Sequence, residues 1–315
     1  MAQPVTLITG ISGGLARLVG AELVKQGHQV VGVDYRRVDA PLDYPAELYQ
    51  ANYNKTRIED VFRRHRPRRV LHLGRVGNLK ERMGKRFDLN VIGSGKLMEL
   101  SRKYGVERFV ILSTFHIYGA HPHNHTPIYE DEPLRAGPAF PQIADAIQLD
   151  SQALMWVWRH PEVQTVVLRP CNVVGPSIQN AMSRFLRQPT VPVMIGFDPM
   201  VQFIHERDMV SAILAAGDGD SIGVFNVAGR SPIPLREALN LTGARQVPMP
   251  TTLAFAYLRL ARLVAPTIPP YMVNFFKYPC VIADERFRRS FGWEPWVSEV
   301  ESIYSTVNRG QSDGS

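Results

Sequence analysis

Near its start the chain carries VTLITGISGGLA (residues 5–16) and then HQVVGVD (residues 28–34), and these two runs decide the fold. Together with the helical run between them, they predict a strand, a glycine turn, a helix and a second strand that ends in an acidic residue. This is the order of a βαβ nucleotide-binding unit. Gly10 allows a sharp turn, Gly13 lets backbone N–H groups approach a pyrophosphate, and Ala16 is small enough for helix and sheet to pack. The phosphates would then lie at the helix N-terminus.

Asp34 ends the second run and bears on the choice of cofactor. A carboxylate at this place accepts both hydroxyls of the adenosine ribose, which favours NAD because a 2′-phosphate would be repelled. Arg36 and Arg37 follow at once, and their charges can offset that repulsion. The expected cofactor is therefore NAD, and NADP remains open.

The composition is that of a globular chain. Hydrophobic residues make up 45% of the 315 residues, which is enough for a large core. Cys171 and Cys280 lie far apart without metal-type spacing, so neither a disulfide framework nor a zinc site is indicated, and a reducing compartment fits. No charged segment with an apolar run precedes the first strand, so we expect a cytoplasmic protein.

The net charge of +7 is spread over segments such as residues 63–69 and 286–289. No aromatic interleaving or known nucleic-acid motif accompanies these basic residues. A solvated basic face is therefore favoured over a nucleic-acid site.

Strands alternate with helical patterns after the first unit, which predicts an α/β fold: a Rossmann-type doubly wound parallel sheet with helices on both faces. We expect an NAD(P)-binding domain at residues 1–175, a smaller C-terminal substrate lobe at 176–307 and a disordered tail at 308–315. The predicted strands are 47–51, 69–73, 108–113, 164–168 and, returning from the lobe to the sheet edge, 224–227; the predicted helices are 56–65, 90–104 and 143–159.

Five further phrases carry a resemblance to a known family. They are VLHLG (70–74), NVIG (90–93), FVILSTFHIYG (109–119), LRPCNVVGP (168–176) and FIHERD (203–208). With the glycine turn they resemble the extended short-chain dehydrogenase/reductase family, in its nucleotide-sugar epimerase/dehydratase branch. The resemblance implies an NAD(P)-binding Rossmann domain with a substrate lobe, where a hydride moves between a carbinol carbon and the nicotinamide.

By motif position, the resemblance also implies where side chains meet the ligands. Asn52 would lie at the adenine, residues 73–75 along the dinucleotide phosphates and ribose, and Pro170 near the nicotinamide amide. Asn172 would touch the substrate diphosphate, and Gln202 stands where many relatives carry an arginine that grips it. Asn90 either supports the active site or is a plain helix-face residue. The full cofactor set that we expect is Gly10, Ser12, Gly13, Gly14, Leu15, Asp34, Tyr35, Arg36, Asn52, Tyr53, Leu73, Gly74, Arg75, Asn90, Ser113 and Pro170.

The chain departs from the family at the proton-transfer pair, a Tyr followed four residues later by a Lys. Counting from the acidic loop at residues 129–134 puts Phe140 at the Tyr position and Ala144 at the Lys position. A phenyl ring neither donates nor accepts the proton that leaves the alcohol, and alanine cannot lower the pKa of a neighbour or hold the ribose. No Tyr-x-x-x-Lys spacing occurs in this region.

Thr114 keeps the Ser/Thr position of the family, so a hydroxyl can still orient a substrate oxygen. His116 follows two residues later, where dehydratase relatives carry a carboxylate acid/base, and histidine titrates near neutral pH. We therefore expect Thr114 and His116 to be the catalytic residues. The alternative is a histidine packed at the strand end and bonded to a backbone carbonyl.

Two other features have alternative interpretations. His121, His123 and His125 form either a cation site or a plain polar loop; no carboxylate or cysteine completes a site, so no metal is expected. Arg75 either holds an anionic substrate or the cofactor pyrophosphate, or forms a salt bridge. Asp208 is predicted to be the N-cap of a following helix.

The lobe also carries an almost wholly apolar helical pattern at residues 251–265, too short and too charged to cross a bilayer. A core or lid helix is favoured over a dimer contact or a membrane-surface helix.

We expect an NAD(P)-dependent oxidoreductase or epimerase-like homodimer acting on a small sugar-like or hydrophobic hydroxy or keto substrate. The alternative is a nucleotide-binding protein without turnover, favoured by the missing Tyr and Lys.

Overall fold

The computed structural model describes residues 3–77, 81–251 and 272–308, except for the side chains of Pro138 and Ala139. The predicted apolar helix at 251–265 and the predicted tail at 308–315 fall almost wholly outside the described residues. In the described part, no helix combines the length and the apolarity that crossing a membrane requires.

Strands and helices alternate along the first half of the chain. Its elements are β1 (Val5–Thr9), α1 (Gly14–Lys25), β2 (Gln29–Asp34), β3 (Glu47–Gln50), α2 (Thr56–His65), β4 (Arg69–His72), α3 (Met83–Phe87), a π-helical turn (Asp88–Ile92), α4 (Gly93–Lys103), β5 (Arg108–Leu112), a 3-10 turn (Phe115–Tyr118), α5 (Ala136–Ala139), a second 3-10 turn (Pro141–Ile143), α6 (Ala144–Arg159) and β6 (Gln164–Pro170).

Shorter elements make up the second half. They are β7 (Asn172–Val174), α7 (Ala181–Leu186), β8 (Thr190–Met194), β9 (Met200–Val201), β10 (Phe203–His205), α8 (Glu206–Asp218), β11 (Gly223–Val227), β12 (Ile233–Pro234), α9 (Leu235–Thr242), β13 (Arg245–Met249), α10 (Met272–Phe275), α11 (Glu285–Phe291) and α12 (Glu299–Val307).

The central sheet has seven strands in the order β11-β6-β5-β4-β1-β2-β3, and every neighbouring pair is parallel. This is the predicted Rossmann-type doubly wound sheet, and the strand predicted at 224–227 does return to its edge as β11. The strand order reverses between β1 and β4. In open α/β sheets, ligands bind in the crevice at such a switch point, outside the carboxyl ends of the strands.

Side chains alternate along each strand and fill an apolar layer on either face of the sheet. In β1, Leu7 packs with Phe62 and Leu97 on one face, while Ile8 packs with Val19 and Ile213 on the other. Because successive strand residues point to opposite faces, a strand covered on both sides has to be apolar at nearly every position. This explains why the strands of the sheet are short apolar runs.

The shorter elements pack around a third apolar cluster. It gathers side chains from α7, β8, α9, α10 and α12, among them Phe185, Val193, Leu239, Val273 and Ile303. Three two-stranded pairings complete it: β7 with β10, β8 with β13 and β9 with β12. These elements cover the carboxyl ends of the last strands of the central sheet.

A buried ion pair joins β6 to α6 beside that edge. Arg169 binds Asp150 with two nearly parallel hydrogen bonds, Nε to Oδ2 at 3.0 Å and Nη2 to Oδ1 at 2.6 Å. Its Nη1 also donates to the Tyr118 hydroxyl at 2.8 Å, and Ser113 Oγ donates to Asp150 at 2.6 Å. Both charged side chains are almost fully buried, so each depends on the other for compensation of its charge.

Replacing Arg169 by Met is expected to lower the free energy of unfolding by about 3–5 kcal/mol, because the Asp150 carboxylate would remain buried without its counter-charge. Urea denaturation measures this. The matched control is Arg68→Met, which breaks the exposed Arg68–Glu107 pair and should cost at most about 1 kcal/mol. Equal losses in the two variants would contradict a structural role for the buried pair.

Candidate functional site

The glycine turn lies at the carboxyl end of β1, next to the switch point. Gly10 has φ +73°, a left-handed conformation that favours glycine, and its amide donates to Val33 O at 2.8 Å. Gly13 is the N-cap of α1 and supplies no side chain to the first turn of the helix. The amide groups that open α1 therefore face the crevice without a side-chain cap, as an anion-binding helix start requires.

The glycine turn is pressed against the loop that follows β4. A Cβ atom on Gly10 would lie only 2.7 Å from the amide nitrogen of Gly74, and one on Gly74 would strike the Tyr53 hydroxyl. That hydroxyl accepts a hydrogen bond from the Gly10 amide at 3.1 Å. Tyr53 is almost wholly buried. Tyr53 therefore supports the turn from beneath, and its contact with the cofactor stays a prediction.

Asp34 ends β2 beside the glycine turn. Its Oδ2 accepts hydrogen bonds from the amide and the hydroxyl of Ser12, and its Oδ1 accepts from the Arg36 amide at 3.0 Å. The Arg36 guanidinium also donates to Ser12 Oγ at 2.6 Å. The carboxylate is thus fixed at the position where the sequence predicts the adenosine ribose, with a cation beside it.

The remaining residues predicted to contact the cofactor follow the carboxyl ends of neighbouring strands. Asn52 and Tyr53 come after β3, and residues 73–75 come after β4. Ser113 follows β5, and Pro170 ends β6. Because parallel strands end at one edge of the sheet, these segments surround the same crevice.

Thr114 and His116 lie together at the carboxyl end of β5. Thr114 caps the 3-10 turn that follows, and its Oγ1 is 2.9 Å from His116 Nδ1. Burial, reinforced by the positive charge of Arg75, lowers the pKa of His116 to about 3. The imidazole is therefore neutral at physiological pH, and its pKa lies too low for it to store a proton there.

Aromatic side chains enclose the His116 ring. Its centroid lies 4.4 Å from that of Phe115 and 4.9 Å from that of Phe275, which belongs to α10. Phe140 packs on Phe275 at 6.2 Å and is buried. Phe140 therefore belongs to the apolar surround of His116.

The position predicted for the missing Lys needs correction. Ala144 is exposed, whereas Asp145 and Ala146 are buried and line the cavity beside Thr114 and His116. The 3-10 turn at Pro141–Ile143 precedes α6, so a count of residues from the loop does not set which residue of α6 faces the cavity. Ala146 lines the cavity and Ala144 does not, and neither alanine can replace a Lys in proton transfer.

A polar cluster joins α3, the π-helical turn and α6 at this cavity. Arg86 forms a buried ion pair with Asp145, and Asn90 Nδ2 donates to the other carboxylate oxygen at 2.6 Å. Asn90 also holds the chain after β4, because its Oδ1 accepts from Val76 N at 2.8 Å and its Nδ2 donates to Val76 O at 3.1 Å. Asn90 is thus a buried clamp, not a plain helix-face residue.

These groups surround a small polar cavity of about 20 Å³. A water molecule needs about 10–15 Å³ on this measure, so the space fits one small polar group. The described residues that line the cavity are Arg75, Val76, Gly77, Arg86, Thr114, His116, Ile143, Asp145 and Ala146.

The two residues predicted to contact the substrate from the lobe side have other partners. Gln202 donates from Nε2 to Ile282 O at 3.1 Å and accepts at Oε1 from Ile282 N at 2.8 Å, so its amide is committed to the main chain. Asn172 donates to Gln202 O at 3.0 Å. Both side chains hold the lobe strands in place, and the structure gives no support to substrate contact by Gln202.

The predicted N-cap at Asp208 is wrong. Helix α8 begins at Glu206 and is capped by His205, whose ring accepts from the Arg207 amide. Asp208 lies within the first turn and is buried, and its carboxylate accepts from the amides of Trp296 and Val297 at 3.2 and 3.1 Å. It therefore anchors the chain that precedes α12.

The histidines after the 3-10 turn at Phe115–Tyr118 stay at the surface loop. His125 is bonded to Glu132 at 2.7 Å, and the His121 and His123 ring centroids are 5.2 Å apart. Among the described residues, no group of three or more His, Cys, Asp or Glu side chains is arranged to hold a metal ion.

The comparison with protein families agrees with the switch-point geometry. Residues 6–228 match the model of the NAD dependent epimerase/dehydratase family. The chain belongs to this family.

Relatives within and around the epimerase/dehydratase family are similar over most of the chain. An uncharacterized protein of Mycobacterium tuberculosis is 27% identical over 82% of this chain and 70% of its own length. The UDP-glucuronate 4-epimerase of Thermodesulfobacterium geofontis is 25% identical, over 96% of this chain and 94% of that protein.

Solved structures share the fold at low sequence identity. The UDP-glucose 4-epimerase of Thermotoga maritima, crystallised with UDP-glucose, superposes with a TM-score of 0.75 at 22% identity, covering 97% of this chain and 98% of that one. Pal from Bacillus thuringiensis gives a TM-score of 0.78 at 19% identity, covering 97% and 98%.

Within this epimerase/dehydratase chain, sequence reasoning missed Arg86 and Asp145. Their ion pair joins residues that lie 59 positions apart, and neither belongs to a phrase that carries the resemblance. One signal was present: Asp145, like Asp150, puts a charge on the mostly apolar buried face of α6, which indicates a buried partner.

Acidification is expected to destabilise the protein partly through His116. The unfolded chain takes up a proton on this residue below about pH 6.5, whereas the folded ring, with its pKa lowered to about 3, stays neutral. Stability conferred by the neutral ring is therefore complete above pH 6.5 and is lost as the pH falls. In a His116→Gln variant, the loss of unfolding free energy between pH 7 and pH 5 should be about 2 kcal/mol smaller than in the wild type.

Urea denaturation at the two pH values measures this difference. His123→Gln is the control, because the His123 ring is exposed to solvent; that variant should lose as much as the wild type. An identical loss in His116→Gln and the wild type would mean that the ring is not held neutral by the fold.

Proposed function

We propose that this protein is an NAD-dependent oxidoreductase of the epimerase/dehydratase type, acting on a sugar-like or hydrophobic hydroxy or keto substrate, with Thr114 and His116 in place of the usual Tyr and Lys. The observation that carries the proposal is the position of this pair. The two side chains are 2.9 Å apart at the carboxyl end of β5 and line a polar cavity next to the strand-order switch point.

The residues present fit the coenzyme. The close approach of Gly10 to Gly74 leaves main chain at the crevice where side chains would obstruct a pyrophosphate, and α1 begins with uncapped amides. Asp34 is fixed where an adenosine ribose would be bound. When bound there, NAD supplies the hydride acceptor or donor at its nicotinamide. Several similar structures, such as MoeE5 in complex with UDP-glucose and NAD, hold this coenzyme.

The neutral state of His116 defines what the pair does. Thr114 Oγ1 accepts the His116 amide, and we assign its own proton to the hydrogen bond with Nδ1. The ring then carries its proton on Nε2 and acts as a hydrogen-bond donor. A neutral imidazole can polarise a substrate carbonyl in this way, because charge that develops on the oxygen is stabilised by the donor.

The buried cluster around Asp145 keeps the cavity in shape. Arg86 and Asn90 fix its carboxylate, and Asn90 holds the Val76 main chain that forms another part of the wall. Phe275 covers the His116 ring from the side of α10. Enclosure of this kind excludes water and strengthens hydrogen bonds to a reacting oxygen.

A second candidate is a nucleotide-binding protein without turnover. It is favoured by the absence of the usual pair, because Phe140 and Ala144 at the predicted positions and Ala146 at the cavity provide no titratable group near neutral pH. Coenzyme binding without any substrate-dependent change in nicotinamide absorbance would decide for this candidate.

Coenzyme binding is expected to favour NAD over NADP by at least about tenfold, because the fixed Asp34 carboxylate repels a 2′-phosphate. Arg36→Ala should widen this preference, since it removes the cation that donates to Asp34 and Ser12. Isothermal titration calorimetry with the full chain measures both. Arg37→Ala is the control, because Arg37 pairs only weakly with exposed Asp39. Tighter binding of NADP by the wild type would contradict the assignment of Asp34, and no heat with either coenzyme would overturn the proposed function.

Turnover should fall by about 10²- to 10⁴-fold in Thr114→Val and His116→Gln, with NAD affinity retained, because His116→Gln removes the imidazole that donates to the reacting oxygen and Thr114→Val removes the hydroxyl that orients this imidazole. UDP-glucose and UDP-glucuronate are the first substrates to test, with nicotinamide absorbance and proton NMR of the sugar as readouts. Thr165→Val is the control: it removes a buried hydroxyl that bonds Val163 O away from the cavity. Unchanged turnover in both site variants would remove the pair from the mechanism.

A further inference from the structure

Arg86 lines the cavity, and one hydrogen-bond donor of its buried guanidinium is unused among the described residues. Its side chain is only 5% exposed and is held on one side, where Nη2 donates to Gln142 O at 2.8 Å and to the Asp145 carboxylate. Its Nε–H has no hydrogen-bond partner within residues 3–77, 81–251 and 272–308. A buried donor without an acceptor costs about 1–3 kcal/mol, and more when the group is charged. The described part of the fold thus leaves a guanidinium N–H without an acceptor, which a ligand could supply.

The other groups around the cavity favour an anionic acceptor. Two guanidinium groups, Arg75 and Arg86, lie among the described lining residues against the single carboxylate of Asp145. That carboxylate is already bonded by Arg86 and by Asn90 Nδ2 at 2.6 Å, which offsets its charge. Thr114 and the neutral His116 complete the wall with a hydroxyl and an imidazole. A negatively charged group here would gain charge-assisted hydrogen bonds, about twice as strong as neutral ones.

The size of the cavity limits what the anion can be. About 20 Å³ is room for one small group, which excludes a phosphate with its four oxygens. A planar carboxylate presents one oxygen at a time and matches a guanidinium N–H in plane.

We propose that this cavity is a carboxylate subsite, and that the substrate is an acidic hydroxy or keto compound, such as a hexuronic acid unit, whose carboxylate oxygen accepts from Arg86 Nε. The position of this carboxylate beside the reacting carbon rests on the proposed function. The subsite itself depends only on the cavity and its donors. Arg86 is accordingly a residue that determines substrate class, and Asp145 is a positioning residue that orients it.

The subsite is tested first without any nucleotide. Formate should shift the Arg86 Nε–H resonance in 15N NMR of the full chain in the millimolar range expected for a three-atom ligand, and formamide, its neutral counterpart, should not. Arg86→Met combined with Asp145→Asn removes the donor without leaving a buried charge. Because the Arg86 signal is lost in this variant, the His116 ring resonance is followed instead, and formate should no longer shift it. Arg102→Met, at an exposed pair on α4, is the control. Equal shifts with formate and formamide, or none with either, would mean that the donor binds water only, and would overturn the proposal.

Substrate class is tested second, with the NAD-loaded protein and two sugar nucleotides that differ in one carboxylate. UDP-glucuronate should bind at least about tenfold more tightly than UDP-glucose, and the double variant should lose this ratio. Equal affinities would overturn the carboxylate subsite while leaving the proposed function intact. A response to formate without binding of either sugar nucleotide would leave the subsite intact and count against a sugar-nucleotide substrate.

Discussion

The close approach of Gly10 and Gly74 is the constraint on which the site depends. These two residues follow β1 and β4, the strands between which the sheet order reverses. A Cβ atom on either one would collide with the other, or with the Tyr53 hydroxyl beneath them. Because the main chains meet without side chains between them, the carboxyl ends of β1 and β4 are drawn together, and the crevice for a coenzyme is bounded by backbone.

A chain of buried hydrogen bonds runs from this contact to the cavity. Gly74 N donates to Thr9 Oγ1, which lies 2.6 Å from His72 Nδ1, and His72 Nε2 lies 2.7 Å from Ser94 Oγ. Ser94 donates onward to Asn90 O. Since a hydroxyl has one proton, Ser94 must accept from His72 Nε2–H, and Thr9 must then donate to Nδ1. Burial lowers the pKa of His72 to about 3, so a neutral ring with one defined tautomer keeps every donor paired. Asn90 Nδ2 donates in turn to Asp145 Oδ2, so the chain of hydrogen bonds reaches the cavity.

Local patterns in the sequence predicted the sheet and the glycine turn because each depends on neighbouring residues. Strand β1, the glycine turn and Asp34 form one continuous βαβ unit, and α2 falls on the predicted residues 56–65. The cavity could not be predicted in the same way. Arg86 and Asp145 meet only after α3 and α6 pack together. The 3-10 turn at Pro141–Ile143 precedes α6, so counting residues from the loop does not show which side chains of α6 face the cavity. Asp208 was misassigned for the same reason, since its partners at residues 296–297 lie far along the chain.

The replacement of a Tyr and a Lys at this site also changes its electrostatics. A lysine at Ala146 would place a third cation beside Arg75 and Arg86, where Asp145 is the carboxylate among the described lining residues. Like charges confined to one enclosed space are destabilising, so a Lys at this position would be unfavourable beside the buried Arg86–Asp145 pair. The small Ala146 side chain and the neutral His116 ring leave the charge of the cavity to its arginines. With alanine at this position, an anion in the cavity would meet Arg75 and Arg86 among the described lining residues, so the selectivity that we propose depends on these two side chains.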